Sequence, residues 1–401
     1  MAAVLMTGCG SSQRPGYRIH GHLLTVYFSG PMQGASSLGA VAALNGARMA
    51  LSQAGGRIGS YQIRLRALDD STVQSDGWDP NQTTLDARQA TLDPTTIGYL
   101  GDFNSGASAI SIPLLNRLEI PQISPGSSAV GLTTRAQGYA PGEPEKYYPT
   151  GVRTFARVVP TDASQAAALV VAERAAGCSS TFVLEDGEVD GEDAALTFVL
   201  TAQAAGLRTV AVQAFQRQAA DYTGLAQSVA ASGADCVLIS ALDEASSVRL
   251  TQQVAHALPR ATILVTAGLA DAAYLNPNLG GLPTSLDSRV MVVSPALPAG
   301  EYPSAGRVFL ARYARDYGSA EPSAIFGYQA MALLLSAIRQ ATDGGHAPAE
   351  RAKVLGQLFS GRSIKGVIGT FHIDKAGDAS VHSFAIYRVA GGRLVFMDRV
   401  G

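Results

Sequence analysis

Three polar turns carry the chemistry this chain can offer, two rich in hydroxyls and one rich in carboxylates. The first, Asp102-Phe103-Asn104-Ser105, follows a β-branched run at 95–100. It precedes apolar positions Ile110, Pro113, Leu114 and Leu118, which recur at helical spacing. Ser105 is therefore expected at a helix N-terminus, where unpaired backbone N–H groups and the helix dipole favour an anion or a carbonyl oxygen. The second turn, Ser124-Pro125-Gly126-Ser127-Ser128, closes a run at 120–123, and its small residues let a ligand approach the backbone. Open parallel sheets bind ligands outside the carboxyl ends of their strands, so both turns lie on the edge where a site belongs. One such turn alone would be ordinary α/β architecture. Two in tandem read as half of a binding cradle, with Asn104, Ser105, Gly126, Ser127 and Ser128 as candidate contacts.

The acidic turn is Glu185-Asp186-Gly187-Glu188-Val189-Asp190-Gly191-Glu192-Asp193. Asp186, Glu188, Asp190 and Gly191 imitate the first half of a calcium loop, but Thr197 stands where a bidentate glutamate is needed. No metal is expected. The alternatives are a solvated helix start, its acids favoured by the dipole, and a cleft lip whose carboxylates, Asp190 among them, meet a cationic or polyhydroxyl ligand. An unpaired buried carboxylate is costly, so the outer acids should face water. Catalysis finds little support. The histidines fall in no ligand spacing, and no C-x-x-C, P-loop or G-x-S-x-G pattern places Ser105 as a nucleophile. The expectation is a protein without cofactor that is not an enzyme.

The scaffold must be large. A chain of 401 residues fits two domains, and 47% hydrophobic with 15% charged residues indicates a globular protein. A net charge of −2, spread along the chain without a basic stripe, argues against nucleic acid as a partner. No apolar run reaches the ~18 residues of a membrane span. Leu5-Met6-Thr7-Gly8-Cys9 before Gly10-Ser11-Ser12 matches a lipoprotein pattern, in which Cys9 would be lipidated; residues 1–20 are set aside as signal remnant and linker. Cys178 and Cys236 each precede an apolar run, and either a disulfide suited to an exported protein or two buried thiols is compatible with that.

Strand and helix then alternate in two series. Strands are expected at 22–28, 61–68, 95–100, 120–123 and 155–159, with helices at 37–54 and from Asp79-Pro80 towards Leu92. A second series places strands at 181–184, 208–214, 235–240, 261–266 and 289–294 between helices. Helices near 302–317, 323–341 and 348–359 follow, then strands at 366–373, 383–389 and 394–398. This spacing implies parallel sheets covered on both faces. Trp78 on its polar turn either caps a cleft mouth or covers the helix that follows it, and Phe326-Gly327-Tyr328 borders a cleft or packs in a core.

Phe28-Ser29-Gly30-Pro31, Asp69-Asp70-Ser71, Gly101-Asp102 through Ser105-Gly106, Ile123-Ser124-Pro125, Arg157 through Pro160 with Asp162, and the segment 366–378 resemble, in this order, the leucine/isoleucine/valine-binding family of ABC-transporter substrate-binding proteins. The resemblance implies a type I periplasmic-binding-protein fold: α/β, two doubly wound parallel-sheet lobes joined by three crossovers, closing on a ligand. Lobe 1 would comprise 21–155 and 297–381, and lobe 2 156–296 and 382–401. It further implies that Ser105, the Gly126 main chain and Ser128 hold a ligand carboxylate. The second lobe departs from the pattern. Thr266-Ala267-Gly268 stands where amino-acid binders carry a glutamate for the ammonium group, and Ala241-Leu242-Asp243 where an aromatic is usual; Asp243, Asp271 or the acidic turn would have to substitute. The function implied is extracytoplasmic capture of a small polar solute, an amino acid or related compound, for an ABC permease. A sensory binding subunit of the same fold is the alternative. The expected state is a monomer whose one membrane contact is a lipid anchor.

Overall fold

The computed structural model describes residues 17–401 except Gln137, Tyr139 and Asp243, so Cys9 lies outside the described residues. The first sheet is built on β1 (Leu23–Gly30), whose β-branched and aromatic residues are buried from Leu24 onward. After β1 come helix α1 (Ser37–Gln53), β2 (Arg57–Ile58), β3 (Tyr61–Asp69), and a small antiparallel pair, β4 (Ser71–Thr72) with β5 (Gly77–Trp78). Helix α2 (Pro80–Leu92), β6 (Thr96–Leu100), α3 (Ser105–Asn116), β7 (Gln122–Ser124) and β8 (Phe155–Arg157) complete it, in the order β2-β3-β1-β6-β7-β8. Only the β2–β3 pairing is antiparallel. Asp79 caps α2 by accepting the Asn81 and Gln82 N–H groups at 2.9 and 3.0 Å, with Pro80 in the first turn, as the Asp-Pro pair implied.

The second series runs α4 (Asp162–Ala175), β9 (Ser180–Glu185), α5 (Val189–Ala204), β10 (Arg208–Ala214), α6 (Thr223–Ala231), β11 (Cys236–Ser240), α7 (Glu244–Ala257), β12 (Thr262–Val265), α8 (Ala272–Leu275) and β13 (Val290–Ser294). The chain then leaves this sheet. Helices α9 (Ser304–Tyr317), α10 (Ala324–Ala341) and α11 (Arg351–Leu358) and the hairpin β14 (Ile364–Gly366)–β15 (Gly369–Phe371) return to the first lobe, where α10 shares one core with β1, α1 and β6. Finally β16 (Phe384–Ala390) and β17 (Arg393–Val400) add antiparallel to β13, in the order β10-β9-β11-β12-β13-β16-β17. Crossings thus follow β8, follow β13 and precede β16.

Helix α10 can lie close against α1 because glycines meet backbone there: a Cβ at Gly327 would fall 1.9 Å from the Ala43 carbonyl oxygen, and one at Gly46 2.1 Å from that of Ala324. In the second lobe Cys178 and Cys236 form a disulfide with Cα atoms 5.7 Å apart, bracing the neighbouring strands β9 and β11. The single strand expected at 366–373 is instead a hairpin. Val367 and Ile368 form its turn because both side chains are buried in the first-lobe core and Gln329 Oε1 accepts the Val367 N–H at 2.9 Å.

Candidate functional site

Ser105 opens α3, as its position after β6 predicts. Its backbone N–H donates across the gap between the lobes to both carboxylate oxygens of Asp190, at 3.0 and 2.9 Å. Its hydroxyl oxygen accepts the N–H groups of Ser128 and Ala129, each at 3.2 Å, and so pins the turn after β7 to the turn after β6. A Cβ at Gly126 would stand 2.4 Å from the Phe103 carbonyl oxygen, so glycine is what lets these two turns meet. Ser124 Oγ accepts the Gly126 and Ser127 N–H groups at 3.1 and 2.8 Å.

Three more carboxylates bridge the lobes in the same manner. Asp193 Oδ2 accepts the Val130 N–H at 3.0 Å, Glu244 Oε1 accepts that of Ser36 at 2.9 Å, and Glu321 Oε2, ahead of α10, accepts that of Ala272 at 3.3 Å. The lobes enclose about 840 Å³, open mouth included, lined by Phe103, Asn104, Gly126 and Ser128 on one side and by Asp162, Asp190, Asp271 and the small residues 266–268 on the other. Gln165 braces the second side: its amide donates to Asp162 Oδ1 at 2.8 Å, and its Oε1 accepts the Ala267 N–H at 2.8 Å.

Burial dominates the electrostatics. It pushes Asp190 up to about 6, against the pull of the Ser105 hydrogen bonds. Burial, then the charges of Asp193 and Asp190, hold Asp162 well above the usual carboxylate range, and Asp193 rises to about 6. Glu244 is held high by burial and by Asp271, and Glu321 is raised to about 7. Behind the cleft, buried Asp70, Asp86 and Asp102 repeat the pattern, with Asp86 at about 7 and Asp102 at about 6.

Asn104, Gly126, Ser128 and Asp190 face the cavity, and Ser105 stands directly behind it. Ser127 is turned away, its hydroxyl at 2.8 Å from that of Ser108 and donating to the Asp102 carbonyl at 3.1 Å. Asp243 lies outside the described residues. The acidic turn does not converge on one point. Asp186 accepts the Leu242 and Glu188 N–H groups, Glu188 pairs with Arg217 at 2.6 Å, and Asp190 crosses the cleft. Of the outer acids expected to face water, Glu192 is exposed but Glu185 and Asp193 are buried, and Glu188 is buried too, with Arg217 as its counter-charge. Phe326 lines the cavity, whereas the Tyr328 hydroxyl turns to Gln53. The Trp78 ring lies against Gly106 in the first turn of α3, where a Cβ would fall 2.6 Å from it. Sequence reasoning did not single out Ser36, Gln165 or Glu244; the only signal was that Glu244 opens a helix after a strand.

Two lobes enclosing a cavity beside hydroxyl-rich strand ends is the arrangement of a solute receptor, and the profile of the periplasmic binding protein family matches residues 25–393. The chain belongs to that family. Similar solved structures include a leucine-binding protein from Thermotoga maritima, 19% identical with a TM-score of 0.79, covering 94% of this chain and 98% of that one. Another is a solute-binding protein of an ABC transporter from Rhodopseudomonas palustris, in complex with 3,4-dihydroxybenzoic acid, at 17% identity, TM-score 0.76 and coverage of 95% and 98%. A third is the branched-chain amino acid transporter substrate-binding protein from Streptococcus pneumoniae, in complex with isoleucine, at 15% identity, TM-score 0.74 and coverage of 94% and 100%. No curated protein sequence matches the chain. This periplasmic binding protein is thus an extracytoplasmic solute-binding protein of type I fold and not an enzyme.

The raised carboxyls make the periplasmic binding protein most stable in mild acid. The unfolded chain ionises such groups near pH 4, whereas the folded chain keeps protons on Asp102, Asp190 and Asp193 to about 6 and on Asp86 and Glu321 to about 7. Over that interval the folded state binds more protons, so stability is full below the unfolded values and is lost as pH rises through the folded ones. The melting temperature read by calorimetry should fall steadily from about pH 4 to pH 7, by several degrees in all, and level off above that; a profile flat or rising across that interval contradicts the assignment.

Proposed function

We propose that this chain captures a small polar solute between its lobes and delivers it to the permease of an ABC importer. It is held at the membrane through a lipid on Cys9 and works as a monomer. In this reading lobe 1 comprises 21–155 with 297–381 and lobe 2 comprises 156–296 with 382–401. Asn104, Ser105, Gly126, Ser128 and Asp190 form the binding surface, with Asp162 added from the geometry.

The observation that carries the proposal is the set of backbone N–H to carboxylate bonds across the cleft, Ser105 to Asp190 and Ser36 to Glu244 foremost. They hold two separately cored lobes together by polar contacts around an enclosed space, which suits an open–closed equilibrium that a ligand touching both lobes can shift. Each charge-assisted bond contributes about 1.5–3 kcal/mol to closure. Replacing Asp190 and Glu244 together by alanine should therefore open the ligand-free protein, giving a larger radius of gyration in small-angle X-ray scattering with cooperative melting retained. An unchanged radius would mean that the lobes form one rigid body and would sink the closure mechanism.

A further inference from the structure

The donors that the family resemblance assigns to a ligand carboxylate are already occupied by the protein itself. The Ser105 N–H is bound to Asp190, the Ser128 and Ala129 N–H groups to Ser105 Oγ, and the Gly126 N–H to Ser124 Oγ. A carboxylate of the chain sits on the helix N-terminus where a ligand's would sit.

What the cavity offers a ligand is an unpaired acceptor within an acidic lining. Asn104 is 2% exposed, lines the cavity and has no donor for its Oδ1, and beside it Asp162, 1% exposed, shares hydrogen bonds with Asp193 and Ser128. Among the described residues the lining includes Asp162, Asp190 and Asp271 but no lysine, arginine or histidine. A carboxylate ligand would meet like charge here, with its usual N–H partners taken. A buried acceptor without a donor costs roughly 1–3 kcal/mol, which a ligand bearing N–H groups recovers. Phe103 and Phe326 add aromatic rings to the lining, and ring faces attract cations. Asp162 also feels the charges of Asp190 and Asp193, a repulsion that a cation placed among them removes.

Resting on the solute-binding reading above, we propose that the cleft takes a small organic amine without a carboxylate, its ammonium donating to Asn104 Oδ1 and its charge balanced by Asp190 among the neighbouring acids Asp162 and Asp193. This sets the chain apart from what the names of its structural neighbours record, and it moves the ammonium away from the position of the family's glutamate, taken here by Thr266-Ala267-Gly268, to Asn104 and the carboxylates around Asp190.

Isothermal titration calorimetry of the full chain, refolded after denaturation to strip bound solutes, tests it with n-butylamine, putrescine and cadaverine against leucine and benzoate. Saturable binding of at least one amine and of neither carboxylate is expected. Asp190→Asn, which keeps an acceptor for the Ser105 N–H, should weaken the amine by roughly 10–150-fold, the worth of one charge-assisted bond. Asn104→Leu should do so by a smaller factor. Unchanged amine affinity in both variants, each melting cooperatively, overturns the proposal. Binding of leucine or benzoate overturns it too, but leaves solute capture standing. Silence of all five probes overturns it as well, and solute capture is then decided by thermal melting against a wider panel of amino acids, amides, carboxylates, polyamines and sugars.

Discussion

Arg157→Met should destabilise the protein by about 3–5 kcal/mol in chemical denaturation, the cost of removing one partner of a buried ion pair. Arg157 ends β8 and is fully buried. Its Nε donates to Asp378 Oδ1 at 2.7 Å, its Nη1 to the carbonyls of Ser127 and Ala129 at 3.2 and 2.7 Å, and its Nη2 to the Thr133 hydroxyl. One guanidinium thus ties the first crossing, the turn that carries Ser128, and the turn at 374–378 that Asp374 organises by accepting the Ala376, Gly377 and Asp378 N–H groups. Methionine would fill much of the volume and strand a carboxylate and two carbonyls. Adding Asp378→Asn should restore part of the loss, because the stranded charge is then gone. A loss below about 1 kcal/mol would place the pair among surface bridges, whose contribution is small.

Reducing the Cys178–Cys236 disulfide, or replacing both cysteines by alanine, should cost about 4 kcal/mol. The bond closes a loop of 58 residues, and the chain-entropy relation converts that length into this figure. For a lobe of this size the loss corresponds to a melting temperature lower by roughly 8–16 °C. Differential scanning calorimetry with and without reductant reads it directly. Because the bond lies within the second lobe, the first-lobe transition should move less. A shift under about 2 °C would show that the bonded and reduced chains differ little in unfolded-state freedom.

The alternation of strands and helices was legible because each long element repeats its own period, and β1, α1, β6 and α3 stand where apolar spacing puts them. Two-residue strands such as β2, β4 and β5 hold no period to read. Val367 and Ile368 look like strand residues and are turn residues, because their burial is decided by Gln329 and a core assembled from distant segments. Ser105 and Asp190 could each be named from local chemistry, a helix start and an acidic turn. That they bind each other could not, since 85 positions separate them and their meeting depends on how two lobes close. Ser36 and Glu244, 208 positions apart, carried no local signal strong enough to single them out.

The most direct test of solute capture is the melting temperature of the refolded, solute-stripped protein with and without amino acids, amides, short-chain carboxylates, amines, polyamines and sugars. A ligand present at 100 times its Kd adds about 2.7 kcal/mol, a rise of roughly 5–10 °C for a lobe of this size. One chemical class should raise the melting temperature, and Asn104→Ala with Asp190→Ala should abolish the rise. A protein that melts cooperatively at one unchanged temperature with every compound would contradict capture of a small solute in this cleft.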